Sequence, residues 1–73
     1  MHDIRESLFE CRFDSASRRS VAHVRAWDAK EAAQLFELEL RGDGIHEEGE
    51  VIVSPVHGDR RPLTRTHLPK HDA

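Results

Sequence analysis

Six histidines, one cysteine and several close-set carboxylates are the groups in this chain of 73 residues that could do chemistry. The histidines are His2, His23, His46, His57, His67 and His71. A zinc ion needs three or four ligands converging at about 2.0–2.3 Å. His67 and His71 have the spacing that places two ligands on one helix face, but Pro69 lies between them and breaks such a helix. His46-Glu47-Glu48 offers adjacent ligands with no second pair at a recognisable spacing. The pattern reads as surface histidine, with no metal and no cofactor expected.

Nucleophilic catalysis finds no better footing. Cys11 lies within an alternating apolar segment, where a free cysteine behaves as a small hydrophobe. Ser15, Ser17 and Ser20 fall in a polar run without the glycines that frame a nucleophile elbow, and no base held by an orienting carboxylate is marked by spacing. Glu37 and Glu39 are two apart on a predicted helix, so they do not face each other. Glycines at 42, 44, 49 and 58 are too scattered to cradle a phosphate. A core this small also leaves little room for a substrate pocket. The chain is therefore expected not to be an enzyme, with a small metal-dependent enzyme using the histidines as the remotest alternative.

Binding is better represented. Arg18 and Arg19 in a predicted hairpin loop, Arg25 at an outward strand position, and Arg60, Arg61 and Arg65 near the C-terminus would suit phosphate if they met in one patch. Against a nucleic-acid surface stand the net charge of −3 and the four aromatic residues, Phe9, Phe13, Trp27 and Phe36, all expected in the core. The charge is uneven. Residues 28–50 hold eight acidic and two basic groups, whereas residues 51–73 hold two acidic and four basic. On the acidic helix, Leu38 lies about 180° from the centre of the buried stripe and Leu35 about 120° away. With Glu31 and Glu39 beside them, these leucines read as an apolar patch with a polar rim, a partner-binding surface. The C-terminal segment carries Leu63 and Leu68 among basic residues, and is the expected cover, from the same chain or from a second copy.

The elements that must position these groups follow from periodicity. Phe9, Cys11 and Phe13 alternate with Glu10 and Arg12, which predicts a strand over Leu8–Phe13. A polar turn leads to a second strand, Val21–Ala26. Asp28 with Glu31 three residues on has the spacing of a capping box, and Trp27 before it is placed to fold over the first turn. Ala29, Ala32, Ala33, Phe36 and Leu40 then form one buried helical stripe, predicting a helix over 29–41 that ends at Gly42 in the left-handed conformation. Glu50–Val56 reads as a third strand that Pro55 confines to an edge or ends, and Pro62-Leu63-Thr64 as an optional fourth. The expected fold is α+β: a small antiparallel sheet of three or four strands with one helix on one face, in the order ββαβ with an extra C-terminal strand optional. Residues 1–66 are assigned to one domain and 67–73 to a flexible tail. The inward set is Phe9, Cys11, Phe13, Val24, Trp27, Ala33, Phe36, Leu40, Val51 and Val53, and a bare far face would expose Val21 and Ile52.

Composition bounds the rest. One cysteine excludes an internal disulfide, the longest apolar run is Val51-Ile52-Val53, and the first residues carry no apolar stretch, so a cytoplasmic protein without membrane contact is expected. Nine arginines against two lysines match a GC-rich bacterial coding bias. Val24-Arg25-Ala26-Trp27-Asp28-Ala29-Lys30-Glu31-Ala32-Ala33, a strand running into an acid-capped helix, resembles the same junction in small bacterial domains, including antitoxins of the HicB type. The proline- and glycine-containing loop of that family is missing before the helix. The leading expectation is a non-enzymatic protein-interaction module, a small accessory, adaptor or inhibitor protein that could form a homodimer. The alternative is an antitoxin-like or regulatory nucleic-acid binder.

Overall fold

The computed structural model describes residues 6–71. Five elements follow one another: β1 (Ser7–Ser15), β2 (Arg19–Ala26), α1 (Ala29–Gly42), β3 (Gly49–Pro55) and β4 (Thr64–Leu68). The strands form one sheet in the order β2-β1-β3-β4, antiparallel at every pairing. β2 and β3 therefore run the same way on either side of β1, and α1 is the crossover that joins them. No helix of the described residues is long and apolar enough to cross a membrane.

β1 is central because its inward side chains are the bulkiest. Phe9, Cys11 and Phe13 are buried beneath the helix, opposite Val24, Ala22 and Ser20 on one side and Pro55, Val53 and Val51 on the other. From above, Ala32, Phe36 and Leu40 close the core. Gly49 is required where β3 meets β1: a Cβ there would collide with the Phe13 ring and stand 2.6 Å from the Asp14 carbonyl oxygen.

Both helix ends are closed as their chemistry dictates. The Glu31 amide donates to Asp28 Oδ1 at 2.8 Å, and the Glu31 carboxylate reaches back to accept from the Trp27 amide at 2.8 Å. At the other end Gly44, not Gly42, takes the left-handed conformation, with φ +81. Its amide donates to the Arg41 carbonyl and that of Ile45 to the Leu40 carbonyl, each at 3.0 Å, which is a Schellman motif. The motif calls for an apolar residue directly after the glycine to meet the helix. Ile45 follows Gly44 and is buried with Leu40, whereas Gly42 is followed by Asp43.

Three further expectations are corrected. Trp27 is 52% exposed rather than inward, because the capping bond fixes its backbone and Ala32, one turn on, is too small to hold its ring. The fourth strand is Thr64–Leu68, later than the expected Pro62–Thr64, and it brings Leu68 into the core. Past β4 the chain keeps contacts with the loop after α1. The His71 amide donates to the His46 carbonyl at 2.8 Å, and Arg41 donates to the carbonyls of Ile45 and Pro69. The rest of the expected tail, residues 72–73, lies outside the described residues. On the sheet face away from the helix Val21 is exposed, as expected, but Ile52 is only 4% exposed. It stands in register between Arg12 and Arg65, whose guanidinium groups are tied to Asp14 and Glu50 and whose stems flank it.

Candidate functional site

The groups that could serve catalysis do not converge. Cys11 is fully buried, its Sγ 3.8 Å from the Ala32 carbonyl oxygen. Burial, with the nearby charges of Glu39 and Glu10, pushes its thiol up to about 11, so almost no thiolate exists at neutral pH. A serine, a histidine and a carboxylate do share one row on the open sheet face, a grouping the sequence pattern did not reveal. Glu10 pairs with His23 on β2 and with Ser54 on β3. The carboxylate thus lies between the other two, whereas activation of a serine requires the imidazole in the middle. His23 Nε2 is 4.0 Å from Glu10 Oε2, beyond hydrogen-bond range.

Nor do the histidines gather around an ion. His46 and His71 stack with ring centroids 5.3 Å apart, while His67 pairs with Glu48 at 2.9 Å. Among the described residues no group of three or more histidine, cysteine or acidic side chains is placed to hold a metal. Ser15 and Ser17 serve the fold instead. Both hydroxyls donate to Glu47, which also pairs with Arg18 at 3.1 Å. These contacts hold the Glu47 carboxyl below its usual value and tie the β1–β2 hairpin to the loop after α1.

The arginines offered for phosphate are divided between the two ends of the sheet. Arg18 and Arg19 lie at the hairpin end, where Arg18 holds Glu47 and Arg19 holds Asp14 at 2.9 Å. Arg25 pairs in register with Leu8 at the opposite end of β1, the end from which the loop bearing Arg60 and Arg61 also springs. Arg61 is engaged with Asp59 at 2.6 Å, and Arg65 with Glu50 at 2.7 Å. The geometry sets no single row of arginines along one groove.

The helix leucines are placed as a surface. Leu38 is 69% and Leu35 42% exposed, with Glu31 and Glu39 on the same side of α1. That side faces β2. The opposite flank, through Lys30, Ala33, Gln34 and Glu37, borders a groove of about 370 Å³ floored by Val51, Thr64, Thr66 and Leu68, and Arg41 on that flank reaches the β4 end. The C-terminal segment therefore lies on the wrong side to cover Leu35 and Leu38, contrary to expectation. Val21, on the sheet face away from the helix, and Trp27, just after β2, are two further exposed apolar residues. With the two leucines they make four of the five large exposed apolar side chains among the described residues. Comparison with known protein families, curated proteins and solved structures finds no match to this chain.

Proposed function

We propose that the chain is a non-enzymatic protein-interaction module, a small cytoplasmic accessory, adaptor or inhibitor protein of bacterial type, acting through the β2 side of the molecule. The observation that carries this reading is the exposure of Val21 and Trp27 on and beside β2 and of Leu35 and Leu38 on α1. Single exposed leucines carry no message, but four large exposed apolar side chains at the β2 edge and on the outer part of α1, with Glu31 and Glu39 beside the leucines, have the character of a docking surface.

Paired capture from source cells tests the reading, using the parent chain and a Leu35→Gln/Leu38→Gln variant as baits. Surface substitutions of this kind shift stability by only about 0.5 kcal/mol. The variant should keep the parent's circular dichroism and melting behaviour while losing a protein that the parent holds. Identical capture profiles from two folded baits sink the proposal.

A further inference from the structure

Resting on that reading, we propose that the partner of this surface is a second copy of the chain, joined antiparallel along β2 with His23 on the two-fold axis. The sheet has two open edges, β2 and β4, and a strand edge is a template for another strand. Apolar content distinguishes them. Val21 and Trp27 on and beside the strand and Leu35 on the helix flank above it lie at the β2 edge, whereas Leu63 is the one large exposed apolar side chain next to β4 among the described residues, and the helix flank on that side carries Lys30, Gln34 and Glu37.

Distance makes the same choice. Neighbouring strands lie about 4.8 Å apart. The helix packs on β1, β2 and β3, centred on β1. Joining two sheets at β2 leaves three spacings between the helices, about 14 Å, a gap that Leu35 of each copy enters from its own side. Joining them at β4 leaves five, about 24 Å, and the helices never meet. Leu35 lies about 9 Å along the helix and His23 about 10 Å back from the end of β2, so both are level with the middle of the edge.

Register is fixed by charge. Directly opposed residues share a sheet face, so the pairing moves only in steps of two. Two arrangements pair seven of the eight residues of β2, residues 19–25 or 20–26. With Ala22 on the axis, Arg19 meets the partner's Arg25, and like charges directly opposed are destabilising. With His23 on the axis, Val21 meets the stem of the partner's Arg25, Ala22 meets the partner's Val24, and Arg19 comes to the partner's Trp27, a cation beside an indole.

Sedimentation equilibrium of the full chain up to about millimolar concentration, combined with cysteine crosslinking, tests this. Opposed Cα atoms in an antiparallel pair are about 4.5–5.5 Å apart, within disulfide range. His23→Cys should therefore form an interchain disulfide under mild oxidation, while buried Cys11 stays out of the reaction. Val21→Cys should not, because its two copies sit about 13 Å apart along the strand. Leu35→Gln/Leu38→Gln should weaken dimerisation at least tenfold. Crosslinking of Val21→Cys in place of His23→Cys overturns the register, and a folded leucine variant that dimerises like the parent overturns the surface. A parent that stays monomeric overturns the dimer outright. If its leucine variant nevertheless loses a foreign protein in the paired capture, the interaction-module reading survives without the dimer.

Discussion

Gly49→Ala is the sharpest test of how the sheet is assembled, because one added carbon has nowhere to go. At that position a Cβ would lie 2.5 Å from Phe13 Cζ and 2.6 Å from the Asp14 carbonyl oxygen. Phe13 is fully buried and cannot swing to solvent, and the carbonyl belongs to β1 itself. Relief therefore requires β3 to move away from β1 at the end where Ser15 pairs with Gly49. Overpacking of this kind costs about 1–3 kcal/mol. Alanine recovers about 0.4–1 kcal/mol by restricting the unfolded chain. The net is a destabilisation of about 1–2 kcal/mol, which in a domain of this size lowers Tm by roughly 4–8 °C for each kcal/mol. Urea unfolding followed by circular dichroism measures it. Phe13→Leu in the same background separates the causes: removing the ring edge should restore part of the loss, leaving the share due to the carbonyl. A neutral or stabilising Gly49→Ala, or a double variant whose losses simply add, would show that β1 and β3 do not approach as described.

Asp28→Ala should lower stability by about 1 kcal/mol through loss of the bond to the Glu31 amide, whereas Asp28→Asn should lose far less; equal losses in urea titrations would assign the effect to charge rather than capping. Cys11, neutral at pH 7 and fully enclosed, should resist alkylation by iodoacetamide until denaturant opens the sheet, and labelling at the rate of an unfolded peptide contradicts its place in the core. Because the contacts of Ser15, Ser17 and Arg18 depress the Glu47 carboxyl in the folded state, its contribution is present above the unfolded-state value and is lost as pH falls through the lowered one. A stability-versus-pH comparison with Glu47→Gln should therefore show a gap at neutral pH that closes in acid, and a gap that widens in acid refutes the assignment.

Local chemistry makes the helix legible and leaves its end ambiguous by two residues. Asp28, Glu31 and the stripe from Ala29 to Leu40 act within one or two turns, so sequence spacing carries them in full. Gly42 and Gly44 both satisfy a search for a terminal glycine, and only the apolar Ile45 after the second decides between them. The last strand is harder to read because its helix-side residues are Thr64, Thr66 and Leu68, and two threonines do not register in an apolar pattern. Trp27 defeats the sequence reading because aromatic character is not the same as core character. In the fold it follows Ala26 at the edge of the sheet, beyond the side chains that could enclose it. The angular positions of Leu35 and Leu38 are also readable, but not what lies beside each flank. That depends on the order β2-β1-β3-β4, set by pairings between residues far apart in the chain.

The same strand order argues against treating the two leucines as a leftover of imperfect packing. α1 packs on β2, β1 and β3 and leaves Thr64 and Thr66 of β4 lining an open groove, where the monomer could bury more apolar surface of its own. Leucines directed to that flank would add to the core at once. Instead that flank carries Lys30, Gln34 and Glu37, while Leu35 lies on the other and Leu38 on the outer face, and among the described residues no strand lies beyond β2. Exchanging the two flanks would need no change in composition and would stabilise the isolated chain. A sequence shaped only by the stability of a single copy would be pulled toward that exchange. The arrangement it has instead leaves Leu35 and Leu38 outside the core of the described residues.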